Sequence, residues 1–478
     1  MGFDGHVVSD CGAVGDIHAG HKVVQTGEEA AAVAVKNGCD LNCGGTYPLL
    51  VASVAAGLVT EDDIDRAVRH VFATRFRLGM FDPPERVPYA SVPFEVNDCE
   101  EHRAVALRMA RESIVLLRNE GGLLPLSKNT KRLAVVGPNA DDAELLKGNY
   151  CGEPSRSVTP LAGIRKAVPG AEVVHMPGCS LKGRETDGFA QAVAAAAKAD
   201  VVVAVMGFAP RLEGEEGEVA EEDGGGDRLR MGLPGVQEDL LRELCATGKP
   251  VVLALTNGSA VAINWADENV PAILDIWYGG EECGTALAEV LFGDYSPAGR
   301  LPLTFYRSLD QVPEFTDYRM EGRTYRYMKR EPLYRFGYGL SYTRFAYSGL
   351  VLDPAEVAAG DPVEVSAEVE NVGTRPGDEV VQLYVTNLDA TVPVPVRQLA
   401  GFRRLGLAPG EKRRVSFTLQ PAQMSVIDEE WKRTVRAGRF ALAVGGGQPG
   451  DPKASERAGS NVLEAELRVT GRAVELEK

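Results

Sequence analysis

Residues 199–206, Ala-Asp-Val-Val-Val-Ala-Val-Met, form the stretch that decides the fold of the middle of this 478-residue chain. Apolar residues follow one another almost without interruption, which is typical of a strand that is covered on both faces. Further apolar runs and helical patterns flank it, at 132–136, 189–198, 235–246, 250–255 and 271–277. Because strands alternate with helices, we predict an α/β sandwich domain with a mostly parallel sheet over residues 111–305.

Toward the carboxyl end, the pattern changes to alternation of apolar and polar residues. The run Val363-Glu-Val-Ser-Ala-Glu-Val-Glu-Asn371 is one example, and short runs of the same kind follow it. Such strands, separated by turn residues, predict an immunoglobulin-like β-sandwich over residues 345–446. Residues 306–344 would connect the two domains, and residues 447–478 would form a tail with one last strand near 461–469.

Toward the amino end, residues 1–82 predict a βαβα unit. Residues 6–10 have the pattern of a buried strand, 27–37 that of a helix, and 39–43 that of a second short strand. Thr60 and Asp63 form a capping box ahead of an amphipathic helix. Since a closed (β/α)8 barrel needs roughly 250 residues, we expect the carboxyl-terminal part of a barrel whose beginning is absent. Residues 83–110 would then be a linker.

Charge and composition narrow the possible partners. The formal net charge of −17 argues against nucleic acid or an anionic membrane, because both require basic patches. No apolar run reaches the roughly 18 residues that a spanning helix needs. The eight cysteines are too sparse for a disulfide scaffold, and Cys39 and Cys43 lack a second pair at zinc spacing, so we expect free or locally paired thiols and no metal.

Two acidic features lie where α/β enzymes place their chemistry. Asp10 follows the first strand directly, and residues 213–223 form a glycine-rich acidic segment after the strand at 199–206. Retaining glycoside hydrolysis requires an ionised nucleophile and a protonated acid, and like-charge repulsion in the acidic segment would help to hold such a proton. A solvated acidic loop is the alternative interpretation. A metal site is disfavoured because the spacing fits no EF-hand and no histidine lies nearby.

Several motifs resemble glycoside hydrolase family 3, and in particular its β-xylosidase-like branch. The resemblance covers almost the whole chain, in the order in which the family has these segments. The matching segments include Gly2-Phe-Asp-Gly-His-Val-Val-Ser-Asp-Cys-Gly-Ala-Val14, Gly38-Cys-Asp-Leu-Asn-Cys-Gly44, Leu212-Glu-Gly-Glu-Glu216, Gly226-Asp-Arg228, Asn257-Gly-Ser-Ala-Val261, Trp277-Tyr-Gly-Gly-Glu-Glu282 and Phe336-Gly-Tyr-Gly-Leu-Ser-Tyr342.

This resemblance implies roles for particular residues. Asp10 would be the nucleophile and Glu215 the general acid/base, with Glu213 and Glu216 as alternatives. A small Cys11 after the nucleophile resembles pentose-active members, so Cys11 would contact the substrate; simple packing is the other interpretation. The domain from about 345 would be of the fibronectin type III-like kind.

The expected function is therefore a retaining exo-glycosidase that removes β-xylosyl residues from xylo-oligosaccharides or aryl glycosides, without a cofactor. β-Glucosidase and α-L-arabinofuranosidase activity are the alternatives within the family. Most of the family's first barrel is missing from this sequence, so we expect the chain by itself to be inactive. A non-catalytic carbohydrate-binding remnant is the alternative from a different class of protein.

Overall fold

The computed structural model describes residues 2–213, 228–458 and 461–476. The chain divides into two compact units, Met1–Asn97 and Asp98–Lys478. Among the described helices, none combines the length and the apolar character that crossing a membrane requires.

Helices dominate the first unit. The α-helices are Ala13–Asp16, Gly27–Lys36, Leu50–Ala55 and Glu61–Arg77, and the 3-10 turns are Tyr47–Leu49, Pro84–Arg86 and Phe94–Val96. The predicted capping box at Thr60 and Asp63 is present, and Thr26 with Glu29 forms a second one. Both boxes satisfy amide groups that would otherwise lack a partner in the first helical turn.

The predicted buried strand at 6–10 is wrong, and so is the strand at 39–43. One parallel bridge, between Val8 and Leu41, joins these segments. Val7 and Val8 are 46% and 52% exposed. Within the described part of this unit, the two segments pair only with each other, so neither gains the second neighbour that would extend the ladder and cover its side chains.

The core of the first unit is correspondingly small. Its buried apolar cluster consists of Ala31, Ala32, Val35, Leu50, Val59 and Ala67. The apolar face predicted for the helix Glu61–Arg77 is only partly used, because Val68 is 45% and Phe72 41% exposed. Phe76 and Phe81 are also exposed and contact each other with ring centroids 4.6 Å apart.

The second unit begins with the helix Glu100–Ser113, which lies largely inside the predicted linker 83–110. That part of the linker prediction is wrong, because Ala110 is buried in the main core and Arg103 forms ion pairs with Glu281 and Glu282. Packing of these two residues, rather than the polar surface of the helix, fixes it to the domain.

A six-stranded sheet forms the centre of the second unit. Its strands are β1 (Val115–Asn119), β2 (Arg132–Val136), β3 (Glu172–Met176), β4 (Val201–Gly207), β5 (Val251–Thr256) and β6 (Ala272–Asp275). The order is β1-β6-β5-β4-β2-β3, with β1 antiparallel to β6 and the other pairs parallel. The predicted mostly parallel sheet is confirmed. Edge strands β1 and β3 were not predicted, since polar residues interrupt their apolar pattern.

Helices cover this sheet, and β4 and β5 are buried along their whole length. The covering helices are Pro160–Ala167, Phe189–Ala197, Gln237–Ala246, Asn264–Asn269 and Cys283–Phe292. Gly163 packs so closely against the backbone of Gly284 that a Cβ would lie 1.9 Å from its carbonyl oxygen. This close approach lets two of the helices lie side by side on the sheet.

A β-sandwich follows the α/β domain. Its strands are β7 (Phe345–Asp353), β8 (Glu356–Ala358), β9 (Val363–Asn371), β10 (Gly377–Asn387), β11 (Gln398–Leu407), β12 (Lys412–Leu419), β13 (Val426–Ile427), β14 (Arg433–Val435), β15 (Gly438–Gly445), β16 (Leu463–Thr470) and β17 (Val474–Glu475). The sheets are β11-β10-β15-β16-β8, β12-β9-β7 and a small β13-β14-β17. Because β16 pairs with β15, the sandwich extends beyond residue 446 into the predicted tail.

The connecting segment 306–344 carries a 3-10 turn at Leu309–Gln311 and a short helix at Thr324–Tyr327, and Ala454–Ala458 forms a π-type turn. Asp267 fixes that turn to the α/β domain, because it accepts hydrogen bonds from Lys453 and Arg457 at 2.6 and 2.7 Å. The second unit is thus held together by charge pairing as well as by apolar packing.

Candidate active site

Asp10 lies on a sharp turn in the first unit. The turn follows the strand-like segment at Val8 and precedes the short helix Ala13–Asp16. Gly12 begins that helix with a φ of +81°, a conformation that glycine adopts without strain. The Asp10 side chain is exposed, and one of its oxygens accepts a hydrogen bond of 2.9 Å from the Cys11 amide. Among the described residues, none donates a hydrogen bond to its second oxygen.

A disulfide between Cys11 and Cys43 fixes this turn. The Gly12 amide donates to the Cys43 carbonyl at 2.8 Å, and the Cys43 amide donates to the Ser9 hydroxyl at 2.9 Å. The sequence pointed to locally paired thiols but not to this pair. A signal was available, because each of the two cysteines comes directly after a strand-like segment of the parallel pair.

Asp40 helps to hold together the two segments that the bridge between Val8 and Leu41 joins. It is 9% exposed and accepts a hydrogen bond of 2.9 Å from the Val7 amide, while its other oxygen lies 3.0 Å from Nδ1 of His70. A nearly buried carboxylate whose two oxygens are both used serves to position the backbone. Asp40 therefore acts through the segment that leads to Asp10.

In the second unit, Glu213 is the first residue of the acidic segment and the one residue of that segment that the structure describes, and its side chain is enclosed. One carboxylate oxygen accepts hydrogen bonds from the Arg228 guanidinium, at 2.9 Å, and from the Ser259 hydroxyl. The other accepts from the Gly258 amide, at 2.6 Å, and from the Tyr278 hydroxyl. An ionised carboxylate offers about four acceptor positions and no donor, and here four donors meet it. These four donors occupy the acceptor positions of the Glu213 carboxylate.

Arg228 is held as firmly as its partner. Its guanidinium donates to the Ala260 carbonyl at 2.9 Å and lies over the Phe208 ring, with Cζ 4.1 Å from the ring centroid. The Arg228 and Glu213 side chains are 18% and 9% exposed. Such a nearly buried, hydrogen-bonded ion pair fixes the two ends of the acidic segment to each other.

The topology of the sheet explains why these donors meet. Glu213 follows β4, Gly258 and Ser259 follow β5, and Tyr278 follows β6, so all lie at the carboxyl edge of three adjacent parallel strands. Beneath them, the buried Asn139 donates to the Phe208 carbonyl at 3.0 Å and to the Thr256 hydroxyl at 2.6 Å. These bonds tie the loops after β2 and β4 to the end of β5.

Two titratable groups at this edge have strongly shifted pKa values. Complete burial, with the charge of Glu213 as a smaller cause, raises the pKa of Asp275 well above its ordinary value, which favours the neutral carboxyl. Burial and the neighbouring Glu213 charge also raise the pKa of Tyr278, which keeps its hydroxyl proton for donation to Glu213. Perturbed groups of this kind cluster at functional sites.

The predicted site residues fall in different parts of the chain. Asp10 and Cys11 lie in the first unit and Glu213 in the second, while Glu215 and Glu216 lie outside the described residues. Among the described residues, no cluster of side chains suitable for a metal ion occurs. Arg228, Ser259 and Tyr278 received no role from the sequence, although each stands in a motif that follows a strand.

Comparison with known proteins agrees with this architecture. Residues 114–342 match the glycosyl hydrolase family 3 C-terminal domain, and residues 379–448 match the fibronectin type III-like domain. The latter match confirms the predicted type of the carboxyl-terminal sandwich.

Two relatives and one solved structure show how far the similarity extends. The chain is 36% identical to a β-xylosidase of Formosa agariphila, over 94% of the chain and 64% of the relative. It is 30% identical to a xylan 1,4-β-xylosidase of Xylanibacter ruminicola, over 93% and 68%. A β-glucosidase structure from Erythrobacter marinus superposes with a TM-score of 0.85 at 34% identity, over 98% of the chain and 64% of that protein.

The chain thus spans about two thirds of the length of the proteins to which it is similar. The six-stranded sheet and Glu213 fall inside the matched residues 114–342, and part of the sandwich falls inside 379–448. On these grounds, the chain belongs to glycoside hydrolase family 3.

Proposed function

We propose that this protein acts in a retaining exo-glycosidase that removes β-xylosyl residues from xylo-oligosaccharides. The observation that carries the proposal is a contrast between two carboxylates. Glu213 is enclosed and paired with Arg228, whereas Asp10 is exposed. This contrast distinguishes a carboxylate that stabilises the fold from one that can react with a substrate. The names of the Formosa and Xylanibacter relatives support xylose as the sugar.

Asp10 would attack the anomeric carbon and form a glycosyl ester while the glycosidic bond breaks. Its exposed oxygen and its rigid turn suit that role, since a nucleophile must approach the sugar without first losing other partners. Because Cys11 is bonded to Cys43, it would border the sugar as part of a disulfide rather than as a free thiol.

Glu215 would protonate the departing oxygen and then remove a proton from the water that hydrolyses the ester. Glu213 is a weaker candidate, because its acceptor positions are already filled by Arg228, Ser259, Gly258 and Tyr278. A group that must carry a proton and contact the substrate needs at least one free oxygen. We therefore assign Glu213 to holding the segment, which leaves Glu215 and, as the alternative, Glu216.

We further propose that the chain by itself is a poor catalyst. The exposed aromatic cluster of Phe72, Phe76 and Phe81 in the first unit supports this, since an apolar surface of this kind ordinarily packs against other protein. Hydrolysis would then require the additional third of sequence that the relatives possess.

β-Glucosidase activity is the second candidate, and the likeness to the Erythrobacter structure supports it. A panel of aryl β-xyloside, α-L-arabinofuranoside and β-glucoside distinguishes the sugars. It would be assayed with the chain alone and with the chain joined to the amino-terminal part of the Formosa β-xylosidase.

We expect the joined protein to hydrolyse the xyloside fastest and the chain alone to be nearly inactive. Asp10→Ala should lower the rate of the joined protein by about 10⁴-fold or more, because no other group can form the ester. Asp62→Ala, which removes an exposed carboxylate elsewhere in the same unit, should leave the rate unchanged. No hydrolysis of any glycoside by a folded joined protein would favour a non-catalytic carbohydrate-binding role.

A further inference from the structure

A second site candidate lies in the second unit, between the α/β domain and the segment that connects it to the sandwich. It is an open cavity of about 650 Å³, within the usual range for small-molecule sites. Arg228 and Ser259, which hold Glu213, form one side of the cavity. The described lining of the cavity thus includes two of the residues that hold Glu213.

The walls of the cavity are mostly apolar. Leu303, Tyr306 and Phe336 line it, and Met320, at 46% exposed, lies at its open side. A pocket with aromatic and flexible apolar side chains accommodates a flat ring well, because such rings bury large areas against one another. An extended chain of hydroxyl groups would find few partners on these walls.

The charge of the cavity is unusual for this chain. The net charge of the protein is −17, yet no aspartate or glutamate stands among the described residues that line the cavity, whereas two arginines do. Arg228 is neutralised by Glu213. Arg326 forms no ion pair with a described residue, and its one side-chain hydrogen bond, at 3.3 Å, goes to the neutral amide of Gln398.

We propose that this cavity binds a small aromatic carboxylate, with the ring on the apolar wall and the carboxylate on the Arg326 guanidinium. The planar guanidinium recognises carboxylates by two parallel hydrogen bonds. The ligand could be a free acid or the aromatic aglycone of a glycoside, and both present the same chemistry to the cavity. The site does not depend on the proposed hydrolytic function, because binding alone defines it.

The test is calorimetric titration of the chain with trans-cinnamate and, as the neutral match, cinnamyl alcohol. Cinnamate should bind at least about tenfold more tightly, since a hydrogen-bonded charge pair supplies that much affinity. Arg326→Gln should remove this advantage. A third ligand, 4-carboxyphenyl β-xyloside, distinguishes a site for the free acid, where the glycoside binds more weakly than cinnamate, from a site for an aglycone, where it binds more tightly.

Arg414→Gln is the matched control, because Arg414 is exposed on the sandwich, donates to the Ser366 hydroxyl at 2.9 Å and forms no ion pair with a described residue. Leu309→Asp tests the cavity independently of Arg326: it places a negative charge on an exposed apolar rim position and should weaken cinnamate more than the alcohol. Equal binding of the acid and the alcohol, or equal losses in Arg326→Gln and Arg414→Gln, would overturn the proposal, as would no binding of either acid.

Discussion

Asp10 and Glu213 are both carboxylates at the ends of strand-like segments, but their surroundings are opposite. Asp10 is exposed and accepts one hydrogen bond, from the amide next to it in the chain. Glu213 accepts four, from Arg228 and from the loops after β5 and β6. Under the proposed assignment, the more enclosed of these two acids is not the reacting one. A saturated carboxylate stabilises a loop, and an open carboxylate can meet a substrate.

The largest expected effect is a loss of hydrolysis rate when the proposed acid/base, Glu215, is replaced. In the protein joined to the Formosa amino-terminal part, Glu215→Ala should slow glycosides with poor leaving groups by about 10²–10⁴-fold, the usual contribution of general acid catalysis. Nitrophenyl glycosides should suffer less at the first step, and azide should restore turnover. Steady-state rates over a series of leaving groups provide the measurement, with Glu216→Ala as the control. If Glu216→Ala shows this pattern instead, the two neighbours exchange roles.

The next effect concerns the Glu213–Arg228 pair. Glu213→Gln should lower the free energy of unfolding of the second unit by about 3 kcal/mol, because it leaves the nearly buried Arg228 charge without its partner. Urea unfolding of the chain measures this value. Arg228→Gln should cost a similar amount, and the double variant clearly less than the sum, since the two side chains interact directly. Additive losses would show that the pair does not act as a unit.

The next prediction concerns the Cys11–Cys43 disulfide, which lies beside Asp10 in the first unit. Cys11→Ser should destabilise the first unit by about 3–4 kcal/mol, the chain-entropy value for a loop of 32 residues, and leave the second unit unchanged. Hydrogen exchange, followed separately in the two units, measures this effect. Cys39→Ser is the matched control, because Cys39 is a free thiol in the same segment. Equal loss of protection in both units would contradict the expected independence of their cores.

The smallest effect compares two buried aspartates of the second unit. Burial alone would raise the pKa of Asp267, but hydrogen bonds from Arg457 and Lys453 outweigh it and lower this pKa to about 2. The unfolded value is about 3.9, so the stabilisation is present above pH 4 and disappears as the pH falls toward 2. The loss of unfolding free energy caused by Asp267→Asn, relative to the unchanged protein, should therefore be about 2 kcal/mol larger at pH 5 than at pH 2.

Asp275→Asn should behave in the opposite way. The raised pKa of Asp275 means that its ionisation on unfolding lowers stability above pH 4, so the amide should leave stability at pH 7 unchanged or raise it. Thermal unfolding of both variants across pH 2–7 checks the pair of predictions. A large loss in Asp275→Asn at pH 7 would show that this carboxyl is ionised in the folded protein.

The sequence predicts most of the second unit because its strands β2, β4, β5 and β6 are almost uninterrupted apolar runs that only a covered sheet can bury. It predicts much less of the first unit. The run at 6–10 has the composition of a buried strand, but burial depends on neighbouring segments, and the described residues supply only the one at 39–43. Local pattern cannot reveal whether a neighbour is present.

The residues of the candidate site also differ in how well the sequence predicts them. Asp10 and the acidic segment are visible because they follow strand patterns, whereas the partners of Glu213 are separated from it by 15 to 65 residues. Arg228, Ser259 and Tyr278 meet Glu213 only because β4, β5 and β6 are adjacent in the sheet. Contacts of this kind depend on strand order, which spacing along the chain does not encode.

Trapping of the glycosyl ester tests the central assignment most directly. The joined protein would be incubated with a 2-deoxy-2-fluoro-β-xyloside that carries a good leaving group, then digested and examined by mass spectrometry. We predict one added fluoroxylosyl group, on the peptide that contains Asp10, and none in Asp10→Ala. A sugar attached to a different carboxylate, or steady turnover with no adduct at any residue, would contradict the account.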